Sequence, residues 1–310
     1  MVRIRGSRRE AEQVPPADFR SYYGRPVLKR PTWKVPDVPG YLFLGGMAGA
    51  SATMAAVADR TGRPELARTG RWVAAAGSSA SVLALIHDLG RPARFLYMLR
   101  VVKPTSPLSV GTWILAPFST LTAAALAAQV TGRFPGAGRW AGAGAAVLGP
   151  LMCTYTAVLL ADTAVPSWHE AHPELPFVFA GSALASGAGA ALLAAPAAVH
   201  GPPARMAVIG AGLELAALHR IEHRLGLLAE PYRRGRPRLL LRASRLLNAA
   251  GAGLTLLGRR SRTASALAGS AFLAAGLCTR FGVFEAGVAS AEDPKYTVLP
   301  QRSRQAAGTG

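Results

Sequence analysis

The chain has 310 residues, of which 50% are hydrophobic, and a formal net charge of +19. Only 7% of the residues are aromatic, so Ala, Leu, Val and Gly supply most of the apolar mass. Because the charges are confined to short breaks between long apolar runs, the pattern excludes an ordinary soluble basic protein and indicates membrane spans.

The same composition argues against nucleic-acid binding and against redox metals in this chain. The sequence has no zinc or helix-turn-helix pattern, so we attribute its basic loops to contact with anionic membrane lipid rather than with nucleic acid. Cys153 and Cys278 lie in separate apolar runs and cannot hold an iron–sulfur cluster. None of the six histidines stands at mid-span, where a haem ligand is expected. We therefore expect no haem or iron–sulfur cluster here.

The predicted fold class is all-α, a polytopic membrane protein with a bundle of about eight transmembrane helices. Residues 1–38 are predicted to form a basic cytoplasmic arm, 39–285 the membrane domain and 286–310 a C-terminal tail. The arm lacks the apolar core of a signal peptide, so we expect the first membrane helix to direct insertion. The predicted spans are 39–58, 72–87, 110–130, 140–161, 175–199, 206–218, 239–257 and 264–284.

The distribution of Lys and Arg predicts the orientation. With the N-terminus inside, 25 of these residues lie on the inner side and 10 on the outer side, which favours cytoplasmic termini in the cell membrane. The loop 162–174 has no Lys or Arg, although it falls on the inner side, and carries two histidines and three carboxylates. It is either a solvated loop or a functional surface.

The second predicted span ends in a group of polar residues. His87 and Asp88 stand at the membrane border, where such groups are costly unless they are paired or wetted. Arg91 and Arg94 are the candidate partners of Asp88 in a helix-ending salt bridge. The functional alternative is a proton donor or acceptor beside a redox ligand, since His titrates near neutral pH.

Two polar residues inside the apolar runs, Tyr155 and Glu214, are further candidates for a functional site. Tyr155 lies in the fourth span, where a phenol could donate a hydrogen bond to a quinone carbonyl without introducing a charge. Packing is the alternative role. Glu214 lies in the sixth span, and an intramembrane carboxylate suggests a functional site.

The candidate proton path consists of four residues, Asp162, Glu214, His219 and Arg280. His219 follows Glu214 by a little more than one helical turn. Arg280, near the end of the eighth span, is expected either to snorkel to the surface or to hold Glu214 or Asp162. A purely structural Glu214–Arg280 pair is the competing interpretation.

Several segments, in order along about residues 35–300, resemble one family. An Asp-Leu-Gly-Arg-Pro-x-Arg-Phe run and a Ser-Pro-x-Ser-x-Gly-x-Trp run resemble those of the NrfD/PsrC family of polysulfide-reductase-type membrane subunits. The matching segments are Tyr41–Ala52, Asp88–Phe95, Ser106–Trp113, Tyr155–Ala171, Leu175–Ala188 and Arg280–Val298.

The resemblance implies an eight-helix subunit that binds menaquinone or ubiquinone beside a ferredoxin-like iron–sulfur subunit. A molybdopterin catalytic subunit usually completes the complex. The family's quinone-binding tyrosine falls on Tyr155, and the border of His87, Asp88 and Arg91 is expected to complete the quinone site.

The sequence departs from the family pattern in two respects. The first helix offers Gly45, Gly46 and Met47 where the family's quinone site has polar residues. Well-known members place the iron–sulfur partner outside the cytoplasm, whereas the charge distribution places the expected docking face inside.

The resemblance predicts a membrane anchor that exchanges electrons between an iron–sulfur partner and the quinone pool, with proton translocation as an additional property. Such a chain is a subunit of an oxidoreductase and not an enzyme alone. The alternatives are a transporter or channel that binds its substrate near the membrane midplane, and a purely structural anchor.

Overall fold

The computed structural model describes residues 27–91, 93–257 and 261–308, so most of the predicted basic arm lies outside the described residues. Within these ranges the chain forms α-helices joined by short turns. The helices are α1 (Asp37–Arg60), α2 (Pro64–Asp88), α3 (Ala93–Met98), α4 (Pro107–Thr131), α5 (Pro135–Ala161), α6 (Pro166–Glu170), α7 (Leu175–Ala194), α8 (Gly201–Arg224), α9 (Glu230–Arg233), α10 (Gly235–Leu257), α11 (Arg262–Glu292) and α12 (Lys295–Gly308).

Five of these helices, α1, α4, α5, α7 and α11, are long and apolar enough to cross a membrane. The prediction of an all-α, multi-pass membrane protein is therefore confirmed. The helices α2, α8 and α10 have 25, 24 and 23 residues and correspond to the remaining predicted spans. They are less apolar than the other five, so an eight-span count stays a prediction.

Helix boundaries follow from local chemistry. Proline stands at the first position of α2, α4 and α5, where its missing N–H costs no helical hydrogen bond and its fixed φ suits the helix. Gly132 follows the last residue of α4 and has φ 66°, a left-handed conformation that other residues rarely adopt and that closes the helix.

The helix α1 is the centre of the bundle and packs against α2, α5, α7 and α11. The helix α4 lies outside α2 and α5, α8 packs on α7, and α10 packs on α11. Where α1 crosses α5, a Cβ on Gly49 would lie 2.5 Å from the carbonyl oxygen of Gly149. The backbones approach this closely because neither residue has a side chain.

The segment that precedes α1 distinguishes the two ends of the bundle. The arm end is the end at which residues 27–36 lie, where α2 and α5 finish and α7 begins; the far end is the opposite one. At the arm end, the ring of Trp33 stacks on the ring of Trp168 with centroids 5.8 Å apart. Trp168 is fully buried, and its Nε1 donates to the carbonyl oxygen of Val283 at 2.8 Å.

Candidate functional site

The border residues His87 and Asp88 fasten the end of α2 to the start of α1. The Nδ1 atom of His87 lies 2.8 Å from the Oδ2 atom of Asp37. The Oδ1 atom of Asp88 accepts a hydrogen bond from the backbone N–H of Lys34 at 3.0 Å. These contacts position the polar border at the arm end, where it is partly exposed.

The expected salt bridge between Asp88 and the arginines that follow it is not formed. Arg94 donates instead to the carbonyl oxygen of Leu89 at 3.3 Å. Arg91 is exposed and has no partner in the described part of the chain. The chain turns away from α2 at Gly90, which has φ 70°, so the carboxylate faces the arm rather than its own loop.

Tyr155 lies two turns before the end of α5 and is 9% exposed. Its ring packs against the backbone of Gly111 in α4, where a Cβ would lie 2.5 Å from the Cε2 atom of the ring. Its hydroxyl donates to the hydroxyl of Tyr41 in α1 at 3.5 Å. An O–H···O bond is usually 2.5–3.0 Å long, so this contact is weak. Each hydroxyl could instead donate to another acceptor.

Tyr41 does not stand out in the sequence, where it begins the largely apolar segment Tyr41–Ala52. It is 4% exposed and lies close to the hydroxyl of Tyr155. One signal could have revealed it: Tyr41 lies one turn inside the start of α1, and Tyr155 lies near the end of α5. Because these helices run in opposite directions, the two hydroxyls fall at the same end of the bundle.

Glu214 is fully buried between α8, α10 and α11. Its Oε1 atom accepts hydrogen bonds from the hydroxyl of Ser244, at 2.9 Å, and from that of Thr279. Its Oε2 atom is buried without a partner. A carboxyl group inside an apolar bundle with one oxygen unpaired is costly.

Arg280 is 1% exposed, so the expectation that it snorkels to the surface is wrong. Its Nη2 atom donates to the carbonyl oxygen of Phe179 at 2.9 Å, and its guanidinium carbon lies 3.7 Å from the centre of the Phe179 ring. Close packing around Gly46 in α1 encloses the guanidinium group, which leaves its Nε and Nη1 atoms without partners. Arg280 and Glu214 form no ion pair with each other, because Glu214 accepts from Ser244 and Thr279 while Arg280 donates to Phe179.

The other two candidates for the proton path lie on the surface at the arm end. Asp162 is exposed just beyond the end of α5. His219 is also exposed, and its ring lies 4.2 Å from that of His223, one turn along α8. The structure thus buries Glu214 and Arg280 in the interior, each with its own hydrogen-bond partners, and leaves Asp162 and His219 at the surface.

The acidic loop 162–174 contains a structural ion pair. Glu174 is 2% exposed and accepts from the Nε atom of Arg224 at 2.6 Å and from that of Arg220 at 3.1 Å. Burial alone would raise the pKa of Glu174, but hydrogen bonds from Arg224 and Arg220 outweigh burial and lower it. The helices α7 and α8 are clamped together at the arm end by this group.

Fold and site together define a multi-pass helical membrane protein with two neighbouring phenols at one end and a buried glutamate and a buried arginine in its interior. The family model described as Polysulphide reductase, NrfD matches residues 28–214. This match covers more than half of the chain, so the protein belongs to that family, as its sequence motifs predicted. No curated protein was found to match the chain.

Proposed function

We propose that the chain is the quinone-interacting membrane subunit of a multi-subunit oxidoreductase. In this role it exchanges electrons between a ferredoxin-like iron–sulfur partner and the quinone pool, as either quinol oxidase or quinone reductase. Membership of the NrfD family supports a membrane-anchor role in a redox complex. A molybdopterin subunit is the proposed third component.

The observation that carries the proposal is the pair of hydroxyls of Tyr155 and Tyr41. Both phenols are buried, both lie at the arm end, and their mutual contact of 3.5 Å is weak. A quinone carbonyl needs a neutral hydrogen-bond donor, which a phenol provides. These two donors therefore suit the carbonyl groups of menaquinone or ubiquinone.

When bound, the quinone would supply two-electron, two-proton redox chemistry. Tyr155 would turn its hydroxyl hydrogen from Tyr41 toward one carbonyl, and the Tyr41 hydroxyl would then donate to the Tyr155 oxygen. His87 and Asp88 would relay protons between this site and water. His87 is exposed and contacts Asp37, and Asp88 is partly exposed and accepts from the backbone of Lys34. Arg91, which has no partner among the described residues, is available to an anionic group of the iron–sulfur subunit or to lipid.

The interior group supports a second element of the proposal, proton movement into the bundle. Glu214 has one buried oxygen without a partner, and Arg280 has two such nitrogens. Unpaired polar atoms of this kind inside a membrane protein mark ion or proton pathways. Asp162 and His219 would collect protons at the arm end.

A tyrosine substitution tests the quinone site in the assembled complex. Tyr155→Phe removes one hydroxyl and should lower quinone turnover by about tenfold or more, the effect of losing a hydrogen bond to a reacting group. Turnover would be measured in membranes with a soluble quinone analogue, alongside the amount of co-purified iron–sulfur subunit to confirm assembly. Tyr97→Phe, in the exposed helix α3, is the matched control. Equal turnover in the two variants would exclude Tyr155 from the site.

The partners are tested by purifying the tagged chain in mild detergent. Mass spectrometry should identify an iron–sulfur subunit, and solvent extraction should recover quinone. If a well-folded preparation contains neither, a transporter or channel becomes the better proposal.

A further inference from the structure

The helices α8 and α10 form a wedge that opens toward the far end. Their middle sections are joined by the hydrogen bond between Ser244 and Glu214, and nearer the arm end by the ion pair between Arg245 and Glu222. Beyond these contacts each helix follows its own neighbour, α7 or α11. A cavity of about 470 Å³ lies between them at the far end.

The cavity has the dimensions and walls of a binding site for an apolar molecule. Its volume falls within the range of roughly 300–1,000 Å³ that is typical of ligand pockets. Leu192, Val208, Ile209 and Leu256 form much of its lining. Ile209 and Leu256 are 66% and 55% exposed, so the cavity opens laterally toward the surrounding lipid.

One end of the cavity is polar and cationic. Arg205 is exposed and has no partner in the described part of the chain. Ser265 is 8% exposed, and its hydroxyl likewise has no partner within the described ranges. Arg205 lies one turn after the start of α8, and Ser265 lies one turn after the start of α11. These two donors therefore fall at similar depth and close to the membrane border.

Arg262 and His200 lie beside the polar end of the cavity and add no negative charge to it. Arg262 donates to the carbonyl oxygens of Leu192, at 3.1 Å, and Ala195, at 2.7 Å, which fastens the end of α7 to the start of α11. His200 is 5% exposed, and its Nδ1 atom is buried without a partner. The residues that line the cavity include two cationic or titratable side chains, Arg205 and His200, and no carboxylate.

From this geometry we infer that the cavity binds a phospholipid with an anionic headgroup. The phosphate would accept from Arg205 and Ser265, and an acyl chain would lie along Val208 and Ile209. A guanidinium group suits this role because its donors match the geometry of phosphate oxygens. A neutral quinone would leave Arg205 without a counter-charge. The site also lies at the opposite end of the bundle from Tyr155, so it is independent of the proposed quinone site.

The inference can be tested with the full-length protein in a neutral detergent. Fluorescent phosphatidylglycerol and phosphatidylcholine would be titrated separately onto wild type, Arg205→Gln and Arg139→Gln. Arg139 is the matched control, because it is the fifth residue of α5 as Arg205 is of α8, is also exposed, and does not line the cavity. We expect wild type to prefer phosphatidylglycerol, and Arg205→Gln alone to weaken its binding by about tenfold, as for loss of one charge-assisted hydrogen bond.

A second variant and two competitors distinguish other ligands. Ala204→Leu fills the cavity and should weaken phosphatidylglycerol binding while leaving the thermal unfolding temperature near that of wild type. Displacement by soluble glycerol phosphate at equal concentration would show that the headgroup alone is bound and would overturn the assignment to lipid. Displacement by menaquinone in both wild type and Arg205→Gln would overturn it in favour of a neutral ligand. Equal loss of binding in Arg205→Gln and Arg139→Gln would show non-specific charge attraction and would also overturn it.

Discussion

At the scale of single residues, Gly287 shows how tightly the arm end is packed. The indole of Trp168 lies directly over Gly287, in the space that a Cβ would occupy. Trp168 cannot move aside easily, because it is fully buried and donates a hydrogen bond to Val283.

Gly287→Ala should therefore destabilise the protein by about 1–3 kcal/mol, the usual cost of overpacking a filled core. Thermal unfolding in detergent, followed by tryptophan fluorescence, measures the change. Gly212→Ala is the control, since a Cβ at this position in α8 meets nothing within 4 Å, and alanine favours the helix. Unfolding at the same temperature in both variants would contradict the packing argument.

Residue types in the sequence indicated part of the site but not its contacts. Glu214 and Tyr155 stood out because polar groups are rare in apolar runs. The hydroxyls that surround Glu214 did not, because Ser244 and Thr279 are far away in sequence and common in membrane helices. One of the two expectations for Arg280 placed it near water, but Phe179 and the neighbouring helices enclose it. Such enclosure depends on three-dimensional packing, which residue spacing along one helix cannot predict.

At the scale of helices, the clamp on Glu174 joins α7 to α8. The substitution Glu174→Gln removes the charge that holds Arg220 and Arg224 and should cost about 1–2 kcal/mol, given that both arginines are partly exposed. Urea or thermal unfolding in detergent measures this loss. Glu65→Gln is the control, because its 4.0 Å pair with Arg68 is exposed, and should cost less than about 0.5 kcal/mol.

The same clamp predicts a dependence on pH. The pKa of Glu174 is lowered in the folded state, so its contribution to stability is complete above the ordinary carboxyl pKa of about 4.3. The contribution is lost as the pH falls through the lowered value. Wild type should therefore lose more stability than Glu174→Gln on acidification below about pH 4. Parallel loss in both proteins would show that Glu174 is not the group responsible.

Helix existence was more predictable than helix extent. Each predicted apolar run corresponds to one long helix, because a run of about 20 apolar residues has few alternatives to a helix in lipid. The sixth run was predicted over 206–218, whereas α8 extends from Gly201 to Arg224. Arg220 and Arg224 in its polar last turns form ion pairs with Glu174, the residue just before α7, and the hydrophobic pattern carries no trace of this partner.

At the scale of the whole molecule, the charge distribution predicts that the arm end faces the cytoplasm. Thr105 is an exposed residue just before the start of α4 and lies at the arm end. Thr131 is the exposed last residue of α4 and lies at the far end. In a background of Cys153→Ala and Cys278→Ala, Thr131→Cys should react with an impermeant maleimide in intact cells. Thr105→Cys should react only after the membrane is opened. The reverse pattern would place the arm end outside and would show that basic loops mislead the orientation rule here.

The stacked indoles of Trp33 and Trp168 give the molecule a built-in optical signal. The sequence has five tryptophans, and this pair, with an angle of 23° between the rings, joins the segment before α1 to the buried face of α6. Indole rings held in a fixed tertiary arrangement contribute to near-ultraviolet circular dichroism, and this signal is lost when the packing is lost. A protein that binds at the arm end and displaces this segment would separate the rings, so its arrival could be followed spectroscopically without any added label.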